Sequence, residues 1–162
     1  MHRTPPPPRG RLRLVVRDDG VDIAERAARN IVLQAGAELV ALLFAGVEGA
    51  KPIDTVAVGF GREGADVGTT TLTPPSDPDI HASELRSPVQ PNDFSVNTDG
   101  SGRNVRVSVA TVFQPTVELT DVTEAGLLAG DKLYNQVVFE PVTLRPGQDV
   151  TFFWDIDFPF GH

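Results

Sequence analysis

Near the C-terminal end of the chain, Val150, Phe152, Trp154, Ile156 and Phe158 alternate without interruption with Thr151, Phe153, Asp155 and Asp157. A two-residue period sends successive side chains to opposite faces of a strand, so this segment predicts a strand that buries Trp154 with its aromatic neighbours. The same period links Val105, Val107, Val109 and Phe113, with Thr111 as the exception, and Lys132 to Phe139 forms a second apolar run. Leu12, Leu14 and Val16 alternate with Arg11, Arg13 and Arg17 and lead into Asp18-Asp19-Gly20, a strand closed by a turn. Arginines along its other face predict an edge position, where charge discourages stacking by another sheet. Pro52 to Val58 reads as a further β-rich segment ending at Gly59. The period changes once: from Asn30 to Phe44, residues Leu33, Ala37, Val40, Ala41 and Phe44 form one apolar stripe of a helix, with Gly46 as its stop. Short strands, turns rich in Gly and Pro and a single helix predict a mainly β fold, an antiparallel β-sandwich of jelly-roll-like type with the helix packed against it.

Two segments stand apart from these periods. Pro5 to Pro8 favour an extended polyproline segment without backbone donors, so residues 1–10 read as a basic arm preceding a single domain over 11–162. Residues 73–91 carry prolines at 74, 75, 78, 88 and 91 and read as a long loop, an interface or tip. Within the 162 residues, 40% are hydrophobic and 22% charged, an ordinary globular mixture with material for a core. The absence of cysteine excludes disulfides, thiol catalysis and cysteine-based zinc sites. The apolar stretch from Leu39 to Val47 falls well short of the roughly 20 residues a bilayer span needs, and the N-terminal residues lack the pattern of an export leader, so no membrane partner is expected.

Charge changes the picture further. The net charge is −8, yet residues 1–17 hold five arginines (Arg3, Arg9, Arg11, Arg13, Arg17) and no acid, which leaves −13 for the remainder. An acidic body repels phosphate backbones, which argues against nucleic acid as a partner. A basic arm on an acidic body suits docking on a neighbouring copy, with Leu12, Leu14 and Val16 adding a strand to the partner's sheet edge. The predicted interface comprises those five arginines, these three apolar residues, and Pro74, Pro75 and Pro78 of the loop.

Candidate chemistry is sparse. Gly59-Phe60-Gly61-Arg62-Glu63-Gly64 matches the dinucleotide glycine pattern, and Glu84 follows at a fitting distance. However, the threonines, glycine and prolines that come next do not predict the helix whose N-terminus would hold a pyrophosphate. Asp77, Asp79 and His81, with Glu84 nearby, alternate as potential cation ligands but lack the spacing of a calcium loop, and Asn97 to Gly102 reads as a hairpin turn. His2 and His162 are terminal and His81 lies in the proline-rich loop, so none is placed as a general base on a rigid element. Asp155 and Asp157 share the exposed face of the last strand as solvated acids. A sugar platform would fall to Phe60 and Phe94, since Trp154 points inward. These readings predict no enzyme, no cofactor, no metal and no small-molecule substrate.

The order of motifs adds a resemblance. Asn30 to Gly36 leads into an Ala/Leu-rich helix and is followed by Pro52 to Gly61 and a Thr-rich stretch. Val117 to Leu127 with its Thr123-Glu124-Ala125-Gly126-Leu127 core comes next, then Lys132 to Phe139, then the aromatic final strand. This order over residues 30–158 resembles small bacteriophage virion proteins of the tail, collar or tail-fibre type. The proline-rich stretch from Thr73 to Pro91 and the basic arm depart from it. The resemblance implies a repeated, non-enzymatic building block of the tail, collar or baseplate region of a particle assembled in the host bacterial cytoplasm. Its partners would be other copies and neighbouring virion proteins. A capsid decoration protein and a soluble carbohydrate-binding module are the alternatives. Small residues in Glu124 to Leu127 are expected where another backbone approaches closely, and Gly59 and Gly61 where a strand ends in a turn many residues could not make.

Overall fold

Ten antiparallel strands and one helix make up the regular structure in a computed structural model of the chain, which describes residues 9–64 and 66–161. The strands are β1 (Arg9–Asp18), β2 (Val21–Val32), β3 (Thr55–Gly59), β4 (Arg86–Pro88), β5 (Phe94–Asp99), β6 (Asn104–Phe113), β7 (Leu119–Ala129), β8 (Lys132–Leu133), β9 (Asn135–Leu144) and β10 (Asp149–Pro159); helix α1 spans Gln34–Phe44. All belong to one sheet in the order β4-β3-β7-β9-β2-β1-β10-β6-β5, with β8 paired to β7. The mainly β class with one helix is therefore observed, and the strands form one continuous curled sheet. Val56 and Val58 of β3 and Leu127 of β7 share a buried cluster with Leu12, Val109, Phe152 and Trp154 from the other half. Ser87 of β4 donates to the Val112 carbonyl of β6 at 3.4 Å, bringing the ends of the sheet together.

The alternation in β10 works as expected: Val150, Phe152, Trp154 and Ile156 are buried, Phe152 and Trp154 lie stacked with centroids 5.7 Å apart, and Phe113 meets Phe152 edge-on. The Asp18-Asp19-Gly20 turn also forms. Asp19 and Gly20 both have positive φ, the geometry whose twist suits a tight hairpin between β1 and β2.

β1 is not an edge strand. It pairs with β10 from Arg9 to Arg17 and with β2 along its other side, near the middle of the sheet. Leu12, Leu14 and Val16 lie in the chain's own core and cannot extend a partner's sheet. The strand begins at Arg9, so the arm boundary expected at residue 10 moves back, and residues 1–8, Arg3 and the four prolines among them, lie outside the described residues.

Residues 30–32, expected in the helix, close β2 instead. The helix also docks on another face than its stripe predicts. Gly36 and Leu39 are buried, while Val40 is exposed and Phe44 is 95% exposed. The cause is local: a Cβ on Gly36 would overlap the Tyr134 carbonyl oxygen, so only glycine lets this helix approach the chain after β8 so closely.

The 73–91 segment is not a free loop. Arg86–Pro88 pairs with β3 as the edge strand β4, Val89 is buried, and Ile80 and Leu85 pack against the core. Pro88 stands at the end of that edge strand, where a missing donor costs least.

Candidate functional site

Two parts of the molecule bring polar residues together, one inside and one outside. The inner part centres on Glu124 of β7, which is 0% exposed. Its carboxyl group accepts the backbone N–H of Thr73 and, at 2.7 Å, the side-chain amide of Gln136. Asn135 accepts the Leu127 N–H at 2.8 Å, and the Thr123 hydroxyl donates to the Gly61 carbonyl. Gly59 and Gly61 serve this site in a way their turn reading missed. Neither has a positive φ; a Cβ on either would press on the Glu124 carboxyl group, and one on Gly126 would meet the Asn135 carbonyl. Close backbone approach at Gly126 is thus observed. Glu124 fastens the start of the proline-rich segment to the sheet, a function that its place among apolar neighbours in the sequence does not reveal.

The outer part is the exposed face of β2, β1 and β10. The register sets Arg29, Arg11 and Asp155 in one row, and Ala27, Arg13 and Phe153 in the next. Arg11 lies 3.8 Å from Asp155, Arg13 lies 3.6 Å from Glu25, and Arg17 meets Asp22 at 2.8 Å. The Arg13 guanidinium covers the Phe153 ring at 4.7 Å. Small Ala27 leaves a depression of about 630 Å³ among Arg11, Arg13, Arg29, Phe153 and Asp155. Beside it, Arg106 holds Asp157 at 2.8 Å, and Asn104 donates to the same carboxyl group. The hydrogen bond from Arg106, opposed by partial burial and reinforced by Asn104, keeps Asp157 below the usual carboxylate range, and the same bond raises Arg106. The predicted interface arginines Arg11, Arg13 and Arg17 are therefore exposed but already matched by acids of their own chain. Arg29, which the sequence reading passed over, has no ion-pair partner within 4.0 Å among the described residues.

A third feature lies where β2 and β9 part. Their pairing covers only Asn30 to Val32 against Asn135 to Val137. Beyond it, Arg26 donates to the carbonyls of Glu140 at 2.9 Å and Pro141 at 2.7 Å, replacing the missing ladder.

Other sequence candidates disperse. The Asp77 carboxyl group accepts the Asp79 N–H at 2.9 Å, and Glu84 accepts the His81 N–H at 2.8 Å, so these groups shape turns. No group of three or more His, Asp or Glu converges to hold a metal among the described residues. After the glycine pattern, residues 66–73 are loop rather than helix. The turn expected over Asn97 to Gly102 is shorter: Asn97 to Asp99 end β5, and residues 100–103 make the β5–β6 turn, where the Gly102 N–H and the Ser101 hydroxyl lower the Asp99 pKa. Phe60 and Phe94 pack against the core. Pro74 and Pro78 are exposed, while Pro75 is half-buried. No helix among the described residues is long and apolar enough to cross a membrane. No protein-family model, curated protein or solved structure matches the chain.

Proposed function

We propose that this chain is a non-enzymatic structural building block that works by assembly with copies of itself and with neighbouring proteins. The motif order is what supports a setting in a bacteriophage or phage-like particle, in the tail, collar or baseplate region. The observation that carries the reading is helix α1. It meets the body through Gly36 and Leu39 and shows Val40, Leu43 and Phe44 to solvent, with Val47 exposed just past its end. Spacings of three and four residues set these side chains on one side, and larger exposed apolar patches mark interaction sites. The residues behind the resemblance fit a scaffold role: Glu124, Gly126, Asn135 and Gln136 spend their polar groups and small size on packing.

The finer fold reading belongs to the same proposal. The short β2–β9 pairing acts as the corner of a jelly-roll-like sandwich whose layers are β4-β3-β7-β9 and β2-β1-β10-β6-β5. A carbohydrate-binding role draws no support from the aromatics, because Phe60 and Phe94 pack inward and Arg13 occupies a face of Phe153.

Sedimentation velocity tests the assembly reading. The wild-type chain should form oligomers that Phe44→Asp with Val40→Asp weakens without loss of fold; a chain that stays monomeric, alone and with its genomic neighbours, overturns it. Mass spectrometry of purified particles from the source tests the phage setting, and absence of the chain from every particle would refute it.

A further inference from the structure

Resting on the building-block reading, we propose that residues 1–8 of one copy dock in an acidic, apolar-walled groove on the next copy, making a head-to-tail contact. The groove measures about 400 Å³ and lies between the proline-rich segment and the start of β7. Phe60, Ile80 and Val117 wall it, all half-buried and packed against the core, and Asp77, Asp79 and Glu118 stand at its rim, exposed. Arg145 already pairs with Glu118 at 2.9 Å, and one Asp77 oxygen is taken by the Asp79 N–H. Neither Asp77 nor Asp79 has an ion-pair partner among the described residues.

The occupant follows from the chain's own sequence. Residues 1–8 hold Arg3 and Pro5 to Pro8, and lie outside the described residues immediately before β1. A polyproline helix is pre-ordered, lacks internal hydrogen bonds, and docks in apolar grooves with little entropy to lose. A basic residue next to the prolines meets a rim of the opposite sign.

Position in the sheet makes the contact intermolecular. β1 starts at Arg9, opposite Asp157, and runs to Arg17, opposite Asp149. Gln114, three residues before Val117 in the chain, bonds to Asp149 at 2.8 Å, so the Val117–Glu118 side of the groove lies towards the far end of β1 from the arm. The strand from Arg9 to Arg17 is about 27 Å long at ~3.4 Å per residue. Arg3 stands six residues before Arg9, a span of at most about 22 Å at ~3.6 Å per residue even at full extension, and four prolines oppose the reversal that a return path would need. The arm therefore leads away from the Val117–Glu118 side of its own groove, and a neighbour's groove can lie ahead of it. An arm at one end and its receptor at the other form a heterologous contact, which closes into a ring or continues as a filament.

Charge swapping in the full chain tests this. Arg3→Glu alone, or Asp77→Lys with Asp79→Lys, should weaken self-association about tenfold by setting like charges together. An equal mixture of the two variants should restore it, because both arm and groove pairs are then complementary. The chain has no cysteine, so Thr4→Cys with Ser76→Cys reports the contact directly: mild oxidation should give a ladder of covalent multimers. A cyclised monomer, or no ladder, overturns the proposal. If either charge variant alone assembles at wild-type strength, the arm contact is refuted while the building-block reading stands. A wild-type chain that remains monomeric refutes both.

Discussion

The core around Trp154 and the corner around Glu124 are both fully buried, yet they are held by opposite means. Around Trp154 the neighbours are Phe152 and other apolar side chains, and the indole N–H has no partner, so the site rests on area and shape. Around Glu124 the carboxyl group accepts from the Thr73 N–H and the Gln136 amide, and Gly59 and Gly61 leave it the room. The lesson lies in tolerance. An apolar core loses stability in proportion to the volume removed, whereas a polar corner loses it in steps, one for each group left unmet.

The largest effect should come from Trp154→Ala, about 3–5 kcal/mol by urea denaturation, since a large side chain leaves a cavity. Trp154→Phe sharpens the contrast: it forfeits no hydrogen bond and should cost well under half as much. Equal losses from the two would show that the site is not governed by volume.

At the polar corner, Glu124→Ala should cost about 2–4 kcal/mol, because the Thr73 N–H and the Gln136 amide lose their acceptor. Glu124→Gln keeps an oxygen for Thr73 and can offer its amide to the Gln136 oxygen, which has no partner, so its cost should be about 1 kcal/mol. Chemical denaturation compares the two directly, and similar values would abolish the distinction drawn here. Faster amide exchange around Thr73 in Glu124→Ala alone would show the segment coming loose.

Gly36→Ala should follow. Alanine gains up to about 1 kcal/mol in helix propensity, but overlap with a backbone carbonyl costs about 1–3 kcal/mol, so a net loss is expected. A stabilised variant would mean that α1 can shift away from Tyr134.

The smallest effects should appear at extremes of pH. Burial raises Tyr134 to about 12 from 10.0. Its contribution is complete below pH 10 and is lost as pH rises from 10 towards 12, a decline that Tyr134→Phe should remove from thermal melts. Asp157 is lowered by Arg106, so its contribution is present above its unfolded value near 3.8 and is lost as pH falls below that. Asp157→Asn should flatten that acid limb, and an unaltered limb would assign it to other carboxylates.

The residues alone determine which segments carry strong periods. The alternation of β10, the β-rich run of β3 ending at Gly59, the turn at Asp19-Gly20 and the tip of the β5–β6 hairpin at Gly100 to Gly102 all fold as their local chemistry dictates, because each depends on neighbours within a few positions. β2 escaped notice because its inward residues are Ala24, Arg26, Ala28, Asn30 and Val32, of which only the last is a large apolar side chain, and its burial is supplied by strands far away in the chain. Only the tertiary structure decides that β1 is central. Its arginines look like an edge guard until Glu25 of β2 and Asp155 of β10 arrive beside them. The same holds for α1, whose docking face is chosen by the Tyr134 carbonyl at Gly36 rather than by its widest apolar stripe. Local periodicity sets the conformation of a segment, but its neighbours set its place, because edge or centre, and which face is buried, depend on pairings between residues distant in sequence.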